Sequence, residues 1–110
     1  ETSCCLHAAL DIGRPVDIEV GGIAADSLGA RSVGILAYNI AENFVDKSIV
    51  VSNEAIVCAQ KSLWENLRIA TEPGGAAAFA AVLDGAYKPG VDERIGILIC
   101  GGNTAAVNLI

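Results

Sequence analysis

The chain has 110 residues, 53% of them apolar, and 13 acidic against 7 basic side chains give a formal net charge of −6. No apolar run approaches the roughly 18 residues that span a bilayer, and no Lys/Arg patch interleaved with aromatics exists, so neither a membrane nor a nucleic acid is an expected partner. A mean hydropathy of +0.50 in so short a chain implies burial against something further, either another copy or a missing part of the same fold.

The first predicted element is a short helix over residues 3–12, with Cys5, Leu6, Ala9 and Leu10 on one side, closed by Gly13 and barred from continuing by Pro15. Val16 to Val20 reads as extended, and Gly21-Gly22 breaks it. Asp26 or Ser27 is the expected cap of a second helix whose buried stripe is Val33, Leu36, Ala37, Ile40 and Phe44. Lys47 to Ser52 reads as a short strand. Ser52 then caps a third helix that turns Ile56, Ala59, Leu63 and Leu67 inward and Gln60, Lys61, Glu65 and Asn66 to water. "RIAT" (68–71) is another strand, Pro73 opens a fourth helix ending near Gly85, and "RIGILIC" (94–100) is the last strand. The Ala76 to Ala81 stretch is biased to small side chains, which let a helix backbone approach the sheet closely.

From residue 45 the order is strand, helix, strand, helix, strand, and the strands are unbroken apolar runs. That pattern predicts a single α/β domain over residues 1–110, three-layered, with a mainly parallel sheet flanked by helices and right-handed crossovers. The four cysteines comprise adjacent Cys4 and Cys5, Cys58 in a helical pattern and Cys100 at a strand end. With one His and no C-x-x-C, neither a disulfide framework nor a zinc site is expected, and reduced thiols in the cytoplasm are. The sequence opens at Glu1 without an initiating Met or a leader-like block, so a chain lacking its original beginning is expected.

In open parallel sheets, ligands bind beyond the carboxyl ends of the strands. Three segments are candidates there: Gly21 to Ser27 ("GGIAADS"), Thr71 to Gly75 ("TEPGG") and Cys100 to Asn103 ("CGGN"). Helix N-termini attract anions and glycines admit a ligand to the backbone. Each has a plainer reading: Glu72 as a solvated or capping carboxylate, Cys100 as an inert thiol, "GGIAADS" as a tight turn. His7 reads as a structural histidine. Neither Walker A nor Rossmann glycine pattern occurs.

Taken in order, "GGIAADSLGARSVG", "TEPGGAAAFAAVLDGAY" and "RIGILICGGN" resemble the C-terminal part of the threonine/serine dehydratases, fold-type II enzymes dependent on pyridoxal phosphate (PLP). The resemblance implies a partial tryptophan-synthase-β-like PLP fold. It implies that Cys100 contacts the cofactor's pyridine nitrogen, that Gly101 keeps the space beside the ring clear and that Glu72 lines the cleft. A neutral thiol there leaves the ring nitrogen largely unprotonated, which favours elimination over transamination. Some members place a cation near the segment equivalent to Ser3 to Cys5 with acidic side chains; Cys4 and Cys5 do not suit a hard cation. The family's Schiff-base lysine, ring-covering loop and glycine-rich phosphate loop are expected to precede residue 1, since Lys47, Lys61 and Lys88 lie in no such motif. The expected function is therefore that of a fragment of a PLP-dependent threonine/serine ammonia-lyase, catalytically inactive alone, with PLP absent or weakly held. Its partners would be the missing N-terminal portion or a second copy, and in the intact enzyme a small amino acid. The alternatives are a non-catalytic α/β module forming a homo-oligomer, and a binding module for a small anion.

Overall fold

The computed structural model describes residues 1–105. They hold four helices, α1 (Cys5–Ile12), α2 (Ile35–Phe44), α3 (Asn53–Leu67) and α4 (Pro73–Leu83). The chain divides into two compact units, Glu1–Val50 and Val51–Ile110, with α1 packed on α2 in the first and α3 on α4 in the second.

In the first unit α1 ends where the sequence places its end. Gly13 adopts φ +86°, and its N–H reaches the Ala9 carbonyl at 2.9 Å. A left-handed residue is needed to close this turn, and glycine enters that conformation without a Cβ clash. Ala9 is fully buried. His7 is structural, as expected: its Nδ1 lies 3.1 Å from the Ser48 carbonyl and 3.2 Å from the Ser48 hydroxyl.

The second helix departs from expectation. It begins at Ile35, with Gly34 as its N-cap, and neither Asp26 nor Ser27 caps it. Residues 22–28 form turns instead, in which the Leu28 N–H bonds the Ala24 carbonyl at 2.7 Å and the Ser27 hydroxyl lies 3.4 Å from the same oxygen. The glycines at 29 and 34 explain the delay, because each weakens helix propagation between them. The buried face of α2 is Tyr38 and Ala41, while Leu36, Ile40 and Phe44 are 73%, 53% and 83% exposed. The stripe expected to be buried thus faces outward. Tyr38 donates its hydroxyl to Glu42 at 3.2 Å; burial, then the neighbouring Glu42 carboxylate, raises its pKa above the ordinary 10.0.

In the second unit Ser52 caps α3 as predicted, its Oγ accepting the Ala55 N–H at 3.1 Å, with Glu54 in the first turn. Replacing Ser52 by Ala orphans that N–H and should lower stability by about 1 kcal/mol. A urea titration with unchanged slope reads the shift in midpoint. Ile56, Ala59 and Leu63 of α3 and Ala76 and Ala80 of α4 form the core. The small alanines of α4 pack it closely on α3, where the sequence suggested approach to a sheet. Two residues of α3 reverse expectation. Leu67, last in the helix, is 63% exposed, whereas Gln60 is 7% exposed.

Among the described residues no strand is paired into a ladder. The stretches read as strands (47–52, 68–71 and 94–100) run outside the helices, with Ile49, Val50, Ile69 and Ile95 each 38% and Leu98 80% exposed. The parallel sheet is therefore not seen here. An apolar run becomes a strand only when a neighbour supplies N–H and C=O partners. The 70–72 and 100–102 segments do lie side by side. The Glu72 N–H bonds the Gly101 carbonyl at 2.8 Å, and a Cβ at Gly102 would stand 3.4 Å from the Ala70 carbonyl oxygen.

Candidate cofactor-edge site

Glu72 is the N-cap of α4, in extended conformation, and Pro73 follows at the first helical position. Proline suits that place because its missing N–H would be unpaired there anyway. The helix packs against the Cys100–Gly101 turn with almost no clearance. A Cβ at Gly75 would fall on the Cys100 carbonyl oxygen and on the Thr71 hydroxyl. A Cβ at Gly101 would fall on the Glu72 side chain, which crosses the space a side chain at 101 would need. Gly101 has φ +70°, so it is required twice over, for backbone conformation and for room.

Cys100, Gly101 and Glu72 are thus brought to one place. The Cys100 side chain is exposed, and Glu72 and Gly101 are half-buried. The Cys100 carbonyl points the other way, accepting the hydroxyl proton of Thr71, which is 1% exposed. Gln60 Nε2 donates to the Thr71 carbonyl at 2.8 Å. Sequence reasoning included Thr71 and Gly75 in a candidate segment but gave them no role, and it turned Gln60 to water. Gln60 had a legible signal: Ile56, Gln60 and Leu63 follow the i, i+4, i+7 spacing of a single buried stripe. For Gly75 and Thr71 the tie to Cys100 has no local signal, because it joins segments far apart along the chain.

The remaining candidate, Gly21 to Ser27, belongs to the first unit. Its Gly21 N–H bonds the Thr2 carbonyl at 2.8 Å, and its Gly21 carbonyl accepts from the Thr2 and Ser3 hydroxyls at 2.9 and 3.0 Å. No helix starts from it, so "GGIAADS" does not form the helix N-terminus expected of it, whereas "TEPGG" does open α4. A crevice of about 210 Å³ lies at the opposite end of α4, lined by Ser52, Glu54, Ala55, Cys58, Leu83 and Asp84. Its two carboxylates make it a poor home for a phosphate. No His/Cys/Asp/Glu group of metal-binding size is gathered among the described residues, and no helix among them is long and apolar enough to cross a membrane.

The chain belongs to the family of pyridoxal-phosphate dependent enzymes, whose model matches residues 1–101. It is 34% identical over 104 residues to the biosynthetic L-threonine dehydratase IlvA of Escherichia coli (strain K12), covering 94% of this chain and 20% of that protein. It is 33% identical over 106 residues to phenylserine dehydratase of Ralstonia pickettii, covering 96% of this chain and 32% of the relative. Serine racemase from Dictyostelium discoideum superposes with a TM-score of 0.79 at 33% identity, over 91% of this chain and 32% of that structure. The chain is thus similar to threonine/serine dehydratase-like enzymes of fold-type II, and spans about a fifth to a third of the length of these relatives. PLP is the cofactor of the family.

Proposed function

We propose that these residues form the C-terminal part of a PLP-dependent threonine/serine ammonia-lyase and supply one edge of its cofactor cleft. The single observation that carries this reading is the Cys100–Gly101 turn locked onto Glu72 at the start of α4. The residues suit one edge of PLP. An exposed thiol stands on a turn held by the Thr71 hydroxyl, and the Glu72 side chain occupies the space that glycine at 101 leaves. Bound PLP supplies an electron sink that lets an amino acid lose its β-hydroxyl as water, with hydrolysis then giving a 2-oxo acid and ammonia. Cys100 would donate one weak S–H hydrogen bond to the unprotonated ring nitrogen. Glu72 lines the same side.

The chain does not provide the covalent anchor and base such a lyase needs. Lys47, Lys61 and Lys88 are all exposed, and none lies in a Ser-x-Lys motif. Residues 1–110 are accordingly inactive alone, and hold PLP weakly if at all. In the complete protein, which works in the cytoplasm, the apolar 47–52, 68–71 and 94–100 stretches pair as a mainly parallel sheet between helices. The half-exposed state of their apolar side chains supports this. One observation favours a second reading, a non-catalytic homo-oligomer: the outward Leu36, Ile40 and Phe44 of α2 would suit a second copy.

A chimera tests the proposal. Residues 1–101 replace the matching segment of the Escherichia coli threonine dehydratase, and 2-oxo acid formation from L-threonine and L-serine is followed. Turnover by the chimera, none by the 110-residue chain and a cofactor absorbance band that shifts in Cys100→Ala are expected. A folded, PLP-loaded chimera without turnover overturns the lyase reading, and turnover by the isolated chain overturns its inactivity. An isolated chain that is indifferent to PLP and dimeric by size-exclusion, beside a dead chimera, leaves the oligomer reading standing.

A further inference from the structure

We propose that Gln60 and Thr71 are positioning residues, a buried relay that ties the middle of α3 to the Cys100–Gly101 turn and sets its height against Glu72. The functional meaning of that turn rests on the cofactor-edge reading above; the relay itself does not.

One peptide group is gripped at both ends. Gln60 Nε2 donates to the Thr71 carbonyl at 2.8 Å, and the N–H of that same planar peptide, belonging to Glu72, donates to the Gly101 carbonyl at 2.8 Å. The Thr71 hydroxyl then takes hold of the preceding carbonyl in the facing segment, that of Cys100. Consecutive residues 71 and 72 therefore hold consecutive residues 100 and 101. A paired strand would share this task among many ladder bonds, but here a side chain from a helix does part of it.

Gln60 is not filler. The site lies among Ile56, Ala59 and Leu63, where leucine would pack as well and carry no desolvation penalty. What leucine cannot do is satisfy the Thr71 carbonyl. The acceptor also fixes the amide orientation, since only the NH₂ end of Gln60 can donate to a carbonyl. Among the described residues no buried side-chain nitrogen or oxygen is left without a partner. Bonds in such a chain polarise one another, so losing Gln60 weakens the Glu72–Gly101 bond as well as its own. Positional errors of an ångström at a reacting group are expensive in rate, which gives the relay its functional weight.

Amide hydrogen exchange in the 110-residue chain, without PLP, tests the relay. Gln60→Leu should accelerate exchange at the Glu72 amide about tenfold or more beyond any change at the Leu63 amide inside α3, because only the local opening is eased. Thr71→Val should do the same, and Thr71→Ser, which keeps the hydroxyl, should stay within about twofold of the parent. If Gln60→Leu fails to fold, the valine–serine comparison carries the test. Equal acceleration at Glu72 and Leu63, an unprotected Glu72 amide in the parent chain, or a serine variant as fast as the valine one overturns the proposal. Because PLP is absent, equal acceleration or a serine variant as fast as the valine one leaves the cofactor-edge reading intact, an unprotected Glu72 amide counts against both readings, and a dead chimera leaves the relay intact.

Discussion

Replacing Gly75 by Ala should destabilise the protein, although alanine is the better helix former. In a helix interior Gly→Ala is favourable by up to about 1 kcal/mol. Against this stands a new Cβ placed on the Cys100 carbonyl oxygen and the Thr71 hydroxyl. A carbonyl is backbone and cannot swing aside as a side-chain tip can. Relief requires α4 to back away from the turn, with overpacking costing roughly 1–3 kcal/mol and the broken buried hydrogen bond to Cys100 a further ~1–3 kcal/mol. The steric and hydrogen-bond losses outweigh the propensity gain, and a net loss of about 1–5 kcal/mol is expected. Gly96→Ala is the control. Nothing lies within 4 Å of a Cβ there, so its effect should stay within about 0.5 kcal/mol. Urea midpoints for the two variants decide the matter; a Gly75→Ala protein as stable as the parent would show that the helix does not press on the turn.

Gly101→Ala should also be costly, for two separable reasons. At φ +70° a residue with a Cβ loses about 1–2 kcal/mol to backbone sterics. The same Cβ meets the Glu72 side chain, which is flexible and can move, at the loss of its place across the turn. A double-mutant cycle with Glu72→Ala separates them. The double variant should recover the second part and keep the first, so the two substitutions combine non-additively by about 0.5 kcal/mol or more. Strict additivity would mean that Glu72 does not occupy the Gly101 space. In the chimera, Gly101→Val should additionally weaken PLP retention, read from the cofactor absorbance after gel filtration.

Much of the helical framework was legible because its signals are local. Gly13 and Pro15 close α1, Ser52 caps α3 and Pro73 opens α4, and each acts within one helical turn of itself. The second helix shows where local reading fails. Val33, Leu36, Ala37, Ile40 and Phe44 make a plausible stripe, but periodicity reports only that a face is apolar. Which of two apolar faces is covered depends on the neighbour present, and here Tyr38 and Ala41 were chosen. Gln60 fails for the complementary reason. A polar residue on a buried stripe is read as solvent-facing unless its partner, the Thr71 carbonyl, is already known. The 47–52, 68–71 and 94–100 stretches were read as strands, yet pairing is a property of two segments and not of one, and no ladder forms among the described residues.

The residue order by itself determined family membership, the close of α1, the starts of α3 and α4, and the placing of Cys100 and Gly101 together at the carboxyl end of an apolar run, because all of these live in contiguous motifs. Only the tertiary structure decided that Glu72 lies across Gly101, that Gly75 admits no side chain and that Gln60 holds the peptide between Thr71 and Glu72. Those facts join α3, the start of α4 and the Cys100 turn. Steric exclusion and hydrogen bonding act over a few ångströms of space, whatever the separation along the chain.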